Sequence, residues 1–308
     1  MINSHNSHSI IDSTKLKAFT ECPRSYFYEY ILGWRSEQPN IHLEFGHAWH
    51  LAMEHLLLTD YSLDNISIAW SLLIEHYRRF FPPEMDEAYA PKNPAYALTA
   101  LVGYAKEYAE DVGKQKVLYT EIDGTVAIDE RRVIYFRMDS ILDVGGIVRS
   151  REHKTGSTLN RQWTDQWSLA IQTWVYNHVL YSLFPKEKVW GVQINGTFFQ
   201  KEEHKYMRVP ARRTLQMMEV GYWNALHWML EVEWEMERLA GCKEADPVMM
   251  CFPMNSSHCT SYFGCKYMDF CMAWPNPLQR VDEVPLGMKI EYWNPAEEKS
   301  KVTFNVKV

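Results

Sequence analysis

The chain of 308 residues contains no run of about 18 consecutive apolar residues, the length that a membrane-spanning helix requires. Its opening stretch, MINSHNSHSIIDSTKLK, also lacks the apolar core of a secretory signal. We therefore expect a cytoplasmic protein with no membrane role. In that reducing compartment the six cysteines are not expected to form a disulfide framework.

The chain also has no excess of basic over acidic residues, with 32 Lys and Arg against 39 Asp and Glu. The formal net charge of −7 excludes a protein that coats polyanions indiscriminately, so any nucleic-acid site must be a local basic channel. Internal repeats and low-complexity tracts are absent, and 46% hydrophobic residues suffice for a full core. The 12 Trp, 18 Tyr and 13 Phe indicate an aromatic core, or alternatively surfaces on which nucleobases stack.

Hydrophobic periodicity predicts an α/β core with a mostly sequential sheet, and the helices before and after the core would form a cap. The first helix is expected to begin at Asp12 or Ser13, followed by helices over 24–31, 47–58, 66–80 and 95–111. Strands are predicted over 117–128, 133–144 and 147–154, then a helix over 163–183, a strand over 188–199 and a helix over 211–239. A terminal pair of strands is predicted at 289–293 and 302–306.

The pair Gly145-Gly146 lies between two of these β-rich runs and predicts a two-residue hairpin turn. If Val144 pairs with Ile147, the pairing of the remaining residues follows by counting outward from the turn along both strands. Directly opposed residues in such a pair have Cβ atoms about 4.5–5.5 Å apart, and residues two apart share a face.

That register places Asp139 opposite Glu152, with Arg137 and Lys154 on the same face. Opposed carboxylates repel each other unless a cation lies between them, and Mg²⁺ or Mn²⁺ with oxygen ligands is the natural candidate. Lys154 would then stabilise charge that develops on a phosphodiester. The alternative is that all three are solvated charges at a strand end.

Two helical patterns supply further candidates. In Gly46-x-x-x-His50 the histidine could reach the metal, and Glu54 follows one turn later; the alternative is an ordinary satisfied or exposed histidine. Gln172 and Tyr176 lie four apart on the helix after the strands, so they share a face and could contact a phosphate or base beside the metal.

The late cysteines have a regular spacing, Cys259-x5-Cys265-x5-Cys271, and Cys22 is a plausible fourth thiolate that would join the two ends of the chain. Cys251 is a competing fourth ligand, and His258 could complete a zinc site instead of an iron-sulfur cluster. The remaining alternative is that all are free buried thiols.

Taken in order, Cys22-Pro23-Arg24, Gly46-x-x-x-His50, Asp139, Glu152-x-Lys154, Gln172-x-x-x-Tyr176 and the three late cysteines resemble the PD-(D/E)XK nuclease superfamily. The likeness extends from about Ser13 to Cys271. It is closest to the RecB-like branch with an iron-sulfur clasp, which includes the AddB nuclease domain, CRISPR adaptation exonucleases and phage-borne relatives.

The resemblance implies a restriction-endonuclease-like core of helix, three strands, helix and strand, with a helical cap. It implies one nuclease domain over 1–308, with a helical region at 12–115, the core at 116–240 and the clasp with a tail at 241–308. His50, Asp139, Glu152 and the main-chain carbonyl of His153 would hold Mg²⁺ or Mn²⁺.

Further roles follow from the same resemblance. Lys154 would be the catalytic lysine, and Gln172 with Tyr176 would orient DNA and the active site. Cys22, Cys259, Cys265 and Cys271 would hold a 4Fe-4S cluster, with zinc as the alternative metal.

The expected activity is metal-dependent hydrolysis of DNA, most naturally by an exonuclease on single-stranded or unwound ends. The setting would be recombination, repair or phage DNA processing in a bacterial or phage-infected cell, with recombination or helicase proteins as possible partners. The rival function is a non-catalytic DNA-end binding or scaffold subunit. Retention of Lys154 and both carboxylates disfavours it, since a degraded nuclease is expected to lose one of them.

Overall fold

A six-stranded mixed sheet carries helices on its faces, and its strands lie in the order Lys205–Ala211, Val189–Phe198, Ile147–Gly156, Val133–Val144, Lys116–Ala127 and Val302–Val306. The computed structural model describes residues 4–261, 264–297 and 301–306. Its helices are α1 (Ser13–Glu21), α2 (Pro23–Tyr26), α3 (Ile41–Leu58), α4 (Leu63–Tyr77), α5 (Pro94–Glu107), α6 (Arg161–Asp165), α7 (Ile171–Leu183), α8 (Leu215–Gly241) and α9 (Met268–Ala273). Its strands are β1 (Trp34–Ser36), β2 (Lys116–Ala127), β3 (Val133–Val144), β4 (Ile147–Gly156), β5 (Val189–Phe198), β6 (Lys205–Ala211), β7 (Met288–Ile290) and β8 (Val302–Val306).

Polar caps set the starts of the main helices. Asp12 accepts a hydrogen bond from the Lys15 N–H at the start of α1, as predicted, and Asn40 caps α3 in the same way. Ser62 and Thr214 cap α4 and α8. The helical N-terminal third and the three successive strands therefore agree with the prediction.

The central strands are antiparallel from β2 to β4, and β5 then pairs parallel to β4 after the crossover through α6 and α7. Nearly every residue of β5 is buried, as expected of a parallel strand covered on both faces. The predicted order of helix, three strands, helix and strand is thus present, and β2, β3, β4 and β5 are neighbours in the sheet.

Two hydrophobic clusters fill the interior. The larger lies between the sheet and α1, α2, α7 and α8, and it includes Phe19, Ile141, Val175 and Met229. The smaller is formed by α3, α4 and α5 around Trp49, with Phe199 reaching in from the end of β5. The second cluster holds α3 as a rigid element beside the sheet.

Several details differ from the prediction, among them strand β1, which was not predicted, and helix α3, which begins at Ile41 and not at His47. The expected helix over 163–183 is interrupted, because α6 ends at Asp165, a 3₁₀ turn covers Gln166–Ser168, and α7 begins only at Ile171. The edge strand β6 was not predicted.

The predicted terminal pair is wrong: β7 pairs with β1, and β8 pairs parallel with β2. Gly124 permits the second pairing, since its φ is +151° and a Cβ there would overlap the carbonyl oxygen of Phe304. Among the helices of the described ranges, none has the length and apolar character needed to cross a membrane.

Candidate active site

The β3–β4 hairpin has the predicted register. Gly145 and Gly146 both have positive φ, +64° and +84°, and Val144 pairs with Ile147. The ladder runs as far as Ser140 and its partner on β4, and the next position places Asp139 opposite Glu152. The two carboxylates therefore lie just beyond the last regular pair of the hairpin.

Beyond the last regular pair, hydrogen bonds from backbone N–H groups to side-chain carboxylates replace the backbone–backbone hydrogen bonds between β3 and β4. The Asp139 N–H donates to Glu152 Oε1 over 3.3 Å, and the His153 N–H donates to Asp139 Oδ2 over 2.6 Å. Each carboxylate thus accepts a backbone N–H from the opposite strand. This exchange fixes the distance between the two acidic side chains.

The electrostatics of the pair are unequal. Burial, and then the charge of Asp139, raise the pKa of Glu152 well above its usual range. Burial would also raise the pKa of Asp139, but His50 and Lys154 hold it well below its usual range. The pair therefore favours one charge on Asp139 and a proton on Glu152, which a bound cation would displace.

His50 reaches this pair from α3. Its Nδ1 lies 3.2 Å from Asp139 Oδ1, so the predicted convergence of helix and hairpin is present. Burial lowers the pKa of His50, but the Asp139 carboxylate outweighs it and the net pKa is raised. Glu54, one turn later, instead pairs with Lys301 at 2.7 Å.

The predicted ligands do not all meet at one point. Within the described ranges, His50, Asp139 and Glu152 are not a set whose ligand atoms all lie within 4.8 Å of one another. Glu152 Oε1 instead accepts from both Ser150 Oγ, at 2.7 Å, and the Asp139 N–H. Because both bonds end on Oε1, Oε2 is the atom that can turn to a cation, and the donor set suits Mg²⁺ or Mn²⁺.

The His153 side chain is buried behind the carboxylates. Asn195 Nδ2 lies 3.0 Å from its Nδ1, and Nε2 has no hydrogen-bond partner in the part of the chain that the structure describes. Burial lowers the pKa of His153 to about 3, so the ring is neutral at physiological pH. Its N–H is committed to Asp139, and its carbonyl as a metal ligand stays a prediction.

Lys154 lies on the same side as the carboxylates and lowers the pKa of both. Its ammonium is 5.8 Å from the centroid of the Trp167 ring, which gives it a cation–π contact. The indole therefore restrains the lysine beside the acidic pair.

The predicted pair on α7 is also in contact. Gln172 Nε2 donates to Tyr176 Oη over 2.9 Å, and Tyr176 Oη donates to the main-chain carbonyl of Arg137. That carbonyl belongs to β3, two residues before Asp139. The pair therefore braces the strand that carries the acid, while direct contact with DNA stays a prediction.

Two residues of the site escaped the sequence analysis. Ser150 is the buried hydroxyl that holds Glu152. Glu121 on β2 has a φ of +46° and interrupts the β2–β3 ladder opposite Asp139, whose charge, after burial, raises the pKa of Glu121. The register between Thr120 and Ser140 was the signal that could have located Glu121.

The arginines near the site differ in environment. Arg137 binds Glu121 at 2.9 Å, and Arg149 stacks 4.8 Å from the Trp190 ring centroid. Arg151 is only 2% exposed and pairs with Asp111. Arg151 is therefore a structural residue and not one that tracks phosphates.

The four predicted cluster cysteines lie in one region, and all six cysteines of the chain are free thiols. Burial, with Cys22 and Cys259 nearby, raises the pKa of Cys265. Burial also raises the pKa of Cys271 to about 11, an effect that Arg24 opposes and that Cys22 and Cys265 reinforce. Mutual effects of this kind require the four sulfurs to be neighbours.

Hydrogen bonds join the two chain ends at this cluster. Asn255 donates its N–H to Cys22 Sγ at 3.4 Å and its side-chain amide to the Glu21 carbonyl at 2.7 Å. Arg24 Nε donates to the Phe252 carbonyl over 2.9 Å. The N-terminal helices and the cysteine-bearing segment are thus held together without any metal.

The spacing of the thiols bears on which metal would fit. A zinc ion with Zn–S bonds of about 2.3 Å places its sulfurs about 3.8 Å apart. In the described part of the chain, no three of these thiols come within 4.8 Å of one another. As they stand, these thiols are therefore not in the compact arrangement of ligands around one zinc ion.

The two alternative ligands, Cys251 and His258, have contacts of their own. Cys251 Sγ is 3.6 Å from Cys242 Sγ, and His258 Nε2 faces Glu21 at 3.9 Å. Cys251 is thus in contact with a thiol outside the predicted set, whereas His258 faces the neighbour of Cys22 through a carboxylate. The set of Cys22, Cys259, Cys265 and Cys271 remains the better candidate.

Comparison with known proteins agrees with this geometry. The family profile described as the PD-(D/E)XK nuclease superfamily matches residues 13–272, which is most of the chain. The chain belongs to that superfamily. Members of this superfamily are generally nucleases and typically use divalent metal ions, so membership suggests a metal-dependent nuclease and implies DNA as the substrate.

Other comparisons add little. No curated protein matches the chain. Among the solved structures, nine chains match. One of them, titled "Crystal structure of SSO0001", is 13% identical, with a TM-score of 0.32 and a match that covers 74% of this chain and 78% of that chain.

Proposed function

We propose that the protein is a Mg²⁺- or Mn²⁺-dependent deoxyribonuclease that digests single-stranded or unwound DNA from an end. The observation that carries this proposal is the buried pair of Asp139 and Glu152, flanked by His50 and Lys154. A pair of acids that holds one proton in place of a cation is suited to binding a divalent metal.

His50, Asp139, Glu152 and the His153 carbonyl would hold the metal ion. Bound Mg²⁺ or Mn²⁺ would polarise the phosphodiester and lower the pKa of a coordinated water. Lys154, restrained by Trp167, supplies positive charge for the phosphate oxygens as charge develops on them. Asp139 holds the His153 backbone and so fixes the strand that presents Lys154.

Gln172 and Tyr176 position the site from α7. The hydrogen bond from Tyr176 Oη to the Arg137 carbonyl connects α7 to β3. Gln172 is the partly exposed member of the pair and is the one placed to contact a DNA strand.

We assign the protein to the RecB-like branch, with a 4Fe-4S cluster on Cys22, Cys259, Cys265 and Cys271. Support comes from the grouping of these four thiols at the junction of the N-terminal helices and the late cysteine-bearing segment. The cluster would be structural, because it adds a covalent clasp where hydrogen bonds already join the chain ends. The preference for DNA ends and the recombination or helicase partners rest on the likeness to this branch.

The nuclease assignment is tested by a cleavage assay on end-labelled single-stranded, duplex and flap DNA with Mg²⁺ or Mn²⁺. Lys154→Ala should reduce cleavage by about 100-fold or more, as loss of a charge-stabilising donor does in other enzymes. Lys114→Ala is the matched control, since Lys114 is exposed and paired with Glu110. Equal cleavage by the Lys154 variant would refute the role of Lys154, and DNA binding without cleavage by the wild type would favour an end-binding subunit.

The clasp is tested by anaerobic purification with iron, sulfide and zinc analysis. Cys265→Ser should lose the iron and the colour, whereas Cys242→Ser, outside the cluster, should keep both. A colourless zinc-loaded wild type would end the iron-sulfur proposal and leave the nuclease proposal untouched.

A further inference from the structure

A second group of metal-ligand side chains lies outside the candidate active site, on the helical lobe. Glu44 and His47 are three residues apart on α3, and His76 is on α4. Their ligand atoms all lie within 4.8 Å of one another, and within the described ranges no other set of three histidine, cysteine or acidic residues does so.

The distances match those between ligands of one metal ion. Glu44 Oε2 is 3.1 Å from His76 Nε2 and 3.8 Å from His47 Nδ1. Ligands about 2.0–2.1 Å from a tetrahedral ion are separated by about 3.4 Å, which falls between these two values. A hydrogen bond from His76 to Glu44 explains only the shorter distance, and 3.8 Å is too long for a second one.

The local sequence fits the same chemistry. Glu44-Phe45-Gly46-His47 is a Glu-x-x-His pair, a spacing that lets one helix face bind a metal with both side chains in helical-bundle metalloproteins. The third ligand comes from a neighbouring helix, as it does in such bundles. Two imidazoles and one carboxylate favour a transition metal over Mg²⁺, which prefers oxygen ligands.

The scaffold around the group is rigid. Both helices pack through the buried cluster that includes Phe45, Ala69 and Leu73. The side chains of Glu44 and His76 are only 14% and 18% exposed, whereas that of His47 is 57% exposed. The Phe80 ring lies 5.4 Å from the His76 ring. A metal held here would be supported from one side and open to solvent on the side of His47.

We propose that Glu44, His47 and His76 form a second metal site, distinct from the nuclease centre, which binds one divalent transition metal such as Zn²⁺ with an open coordination position. Three protein ligands with one position left for water are the arrangement of open zinc sites. His47 lies one helical turn before His50 on α3, so the proposed site and the nuclease centre are carried by the same helix. The proposal stands on its own residues and does not require the nuclease assignment.

The test is Zn²⁺ titration of the full chain, observed by ¹⁵N NMR of the histidine side chains and by calorimetry. All proteins in the test carry Asp139→Asn, so that the nuclease centre does not contribute a binding event. Zn²⁺ should shift the imidazole signals of His47 and His76 together, at one equivalent. The NMR readout is specific for these rings and separates this site from any zinc bound by the cysteines.

His47→Gln should weaken this binding event by more than about 100-fold, because even loss of an outer partner costs 10–100-fold in metal affinity. Its side chain is mostly exposed, so the variant should keep the wild-type circular dichroism and melting temperature. His55→Gln is the matched control, since His55 also joins α3 to α4, at 3.3 Å from Asn65, but faces no carboxylate. Unmoved His47 and His76 signals, or unchanged binding by His47→Gln, would overturn the proposal.

Discussion

The hydroxyl of Ser150 offers the sharpest test of how the acidic pair is prepared for a metal. Ser150 Oγ donates to Glu152 Oε1 over 2.7 Å and is fully buried, so no water can replace it. Ser150→Ala removes that donor. We expect Mn²⁺ affinity to fall by about 10–100-fold, which corresponds to about 1.4–2.7 kcal/mol.

Two physical effects contribute, and pH separates them. The Ser150 bond lowers the pKa of Glu152, so its loss raises that pKa further and strengthens the proton that the metal must displace. This part of the deficit should shrink as pH rises, because the carboxyl then loses its proton more readily. The part due to lost orientation of Glu152 Oε2 should not depend on pH.

Ser140→Ala is the matched control. Ser140 is equally buried on the adjacent strand, but its hydroxyl donates to the Arg151 carbonyl at 3.0 Å. Both variants should lose about 1 kcal/mol of unfolding free energy, and only Ser150→Ala should lose metal affinity. Equal Mn²⁺ affinities for the two variants, measured by calorimetry, would refute this account of the site.

Other perturbations test the remaining parts of the structure. Tyr176→Phe removes the hydroxyl that donates to the Arg137 carbonyl of β3, so urea unfolding should show a loss of about 0.5–1.5 kcal/mol, with reduced cleavage. Burial lowers the pKa of Lys92 to about 8, below the 10.5 expected in the unfolded chain. Between these values the unfolded state holds the extra proton, so stability from this residue should rise with pH by at most about 1.4 kcal/mol per unit. Lys92→Met should lack that rise. Gly221→Ala should destabilise by about 1–3 kcal/mol because its Cβ would overlap Trp174, whereas Gly241→Ala, with open space, should not. Denaturant melts that rank the two glycine variants equally would contradict the packing.

The sequence was most informative where a short local rule fixed the geometry. A Gly-Gly turn has few accessible conformations, so the pairing of Val144 with Ile147 and the opposition of Asp139 and Glu152 followed from it. The capping of α1 by Asp12 followed from an equally local preference. The contact of His50 with Asp139 could not be predicted from a local rule. It followed from the resemblance to a known superfamily, whose ordered motifs place these two residues in one site.

Features that depend on distant partners were missed. Strand β6 contains Pro210 and lies at the sheet edge with exposed positions, so its pattern is weak. The partner of β8 is β2, about 180 residues earlier, and no local signal identifies such a pairing. The break between α6 and α7 likewise depends on packing that periodicity does not encode.

The role of Ser150 could not be read from the sequence for a different reason. A serine in a strand has no distinctive pattern, and only the end of the ladder beyond Ser140 turns Glu152 back towards it. The hydroxyl and the Asp139 N–H both donate to Glu152 Oε1, so they compensate part of the cost of burying that carboxyl group. The free energy of metal binding is therefore the difference between coordination and the bonds that replace it, and one of those bonds is donated by Ser150, a residue outside the superfamily motifs.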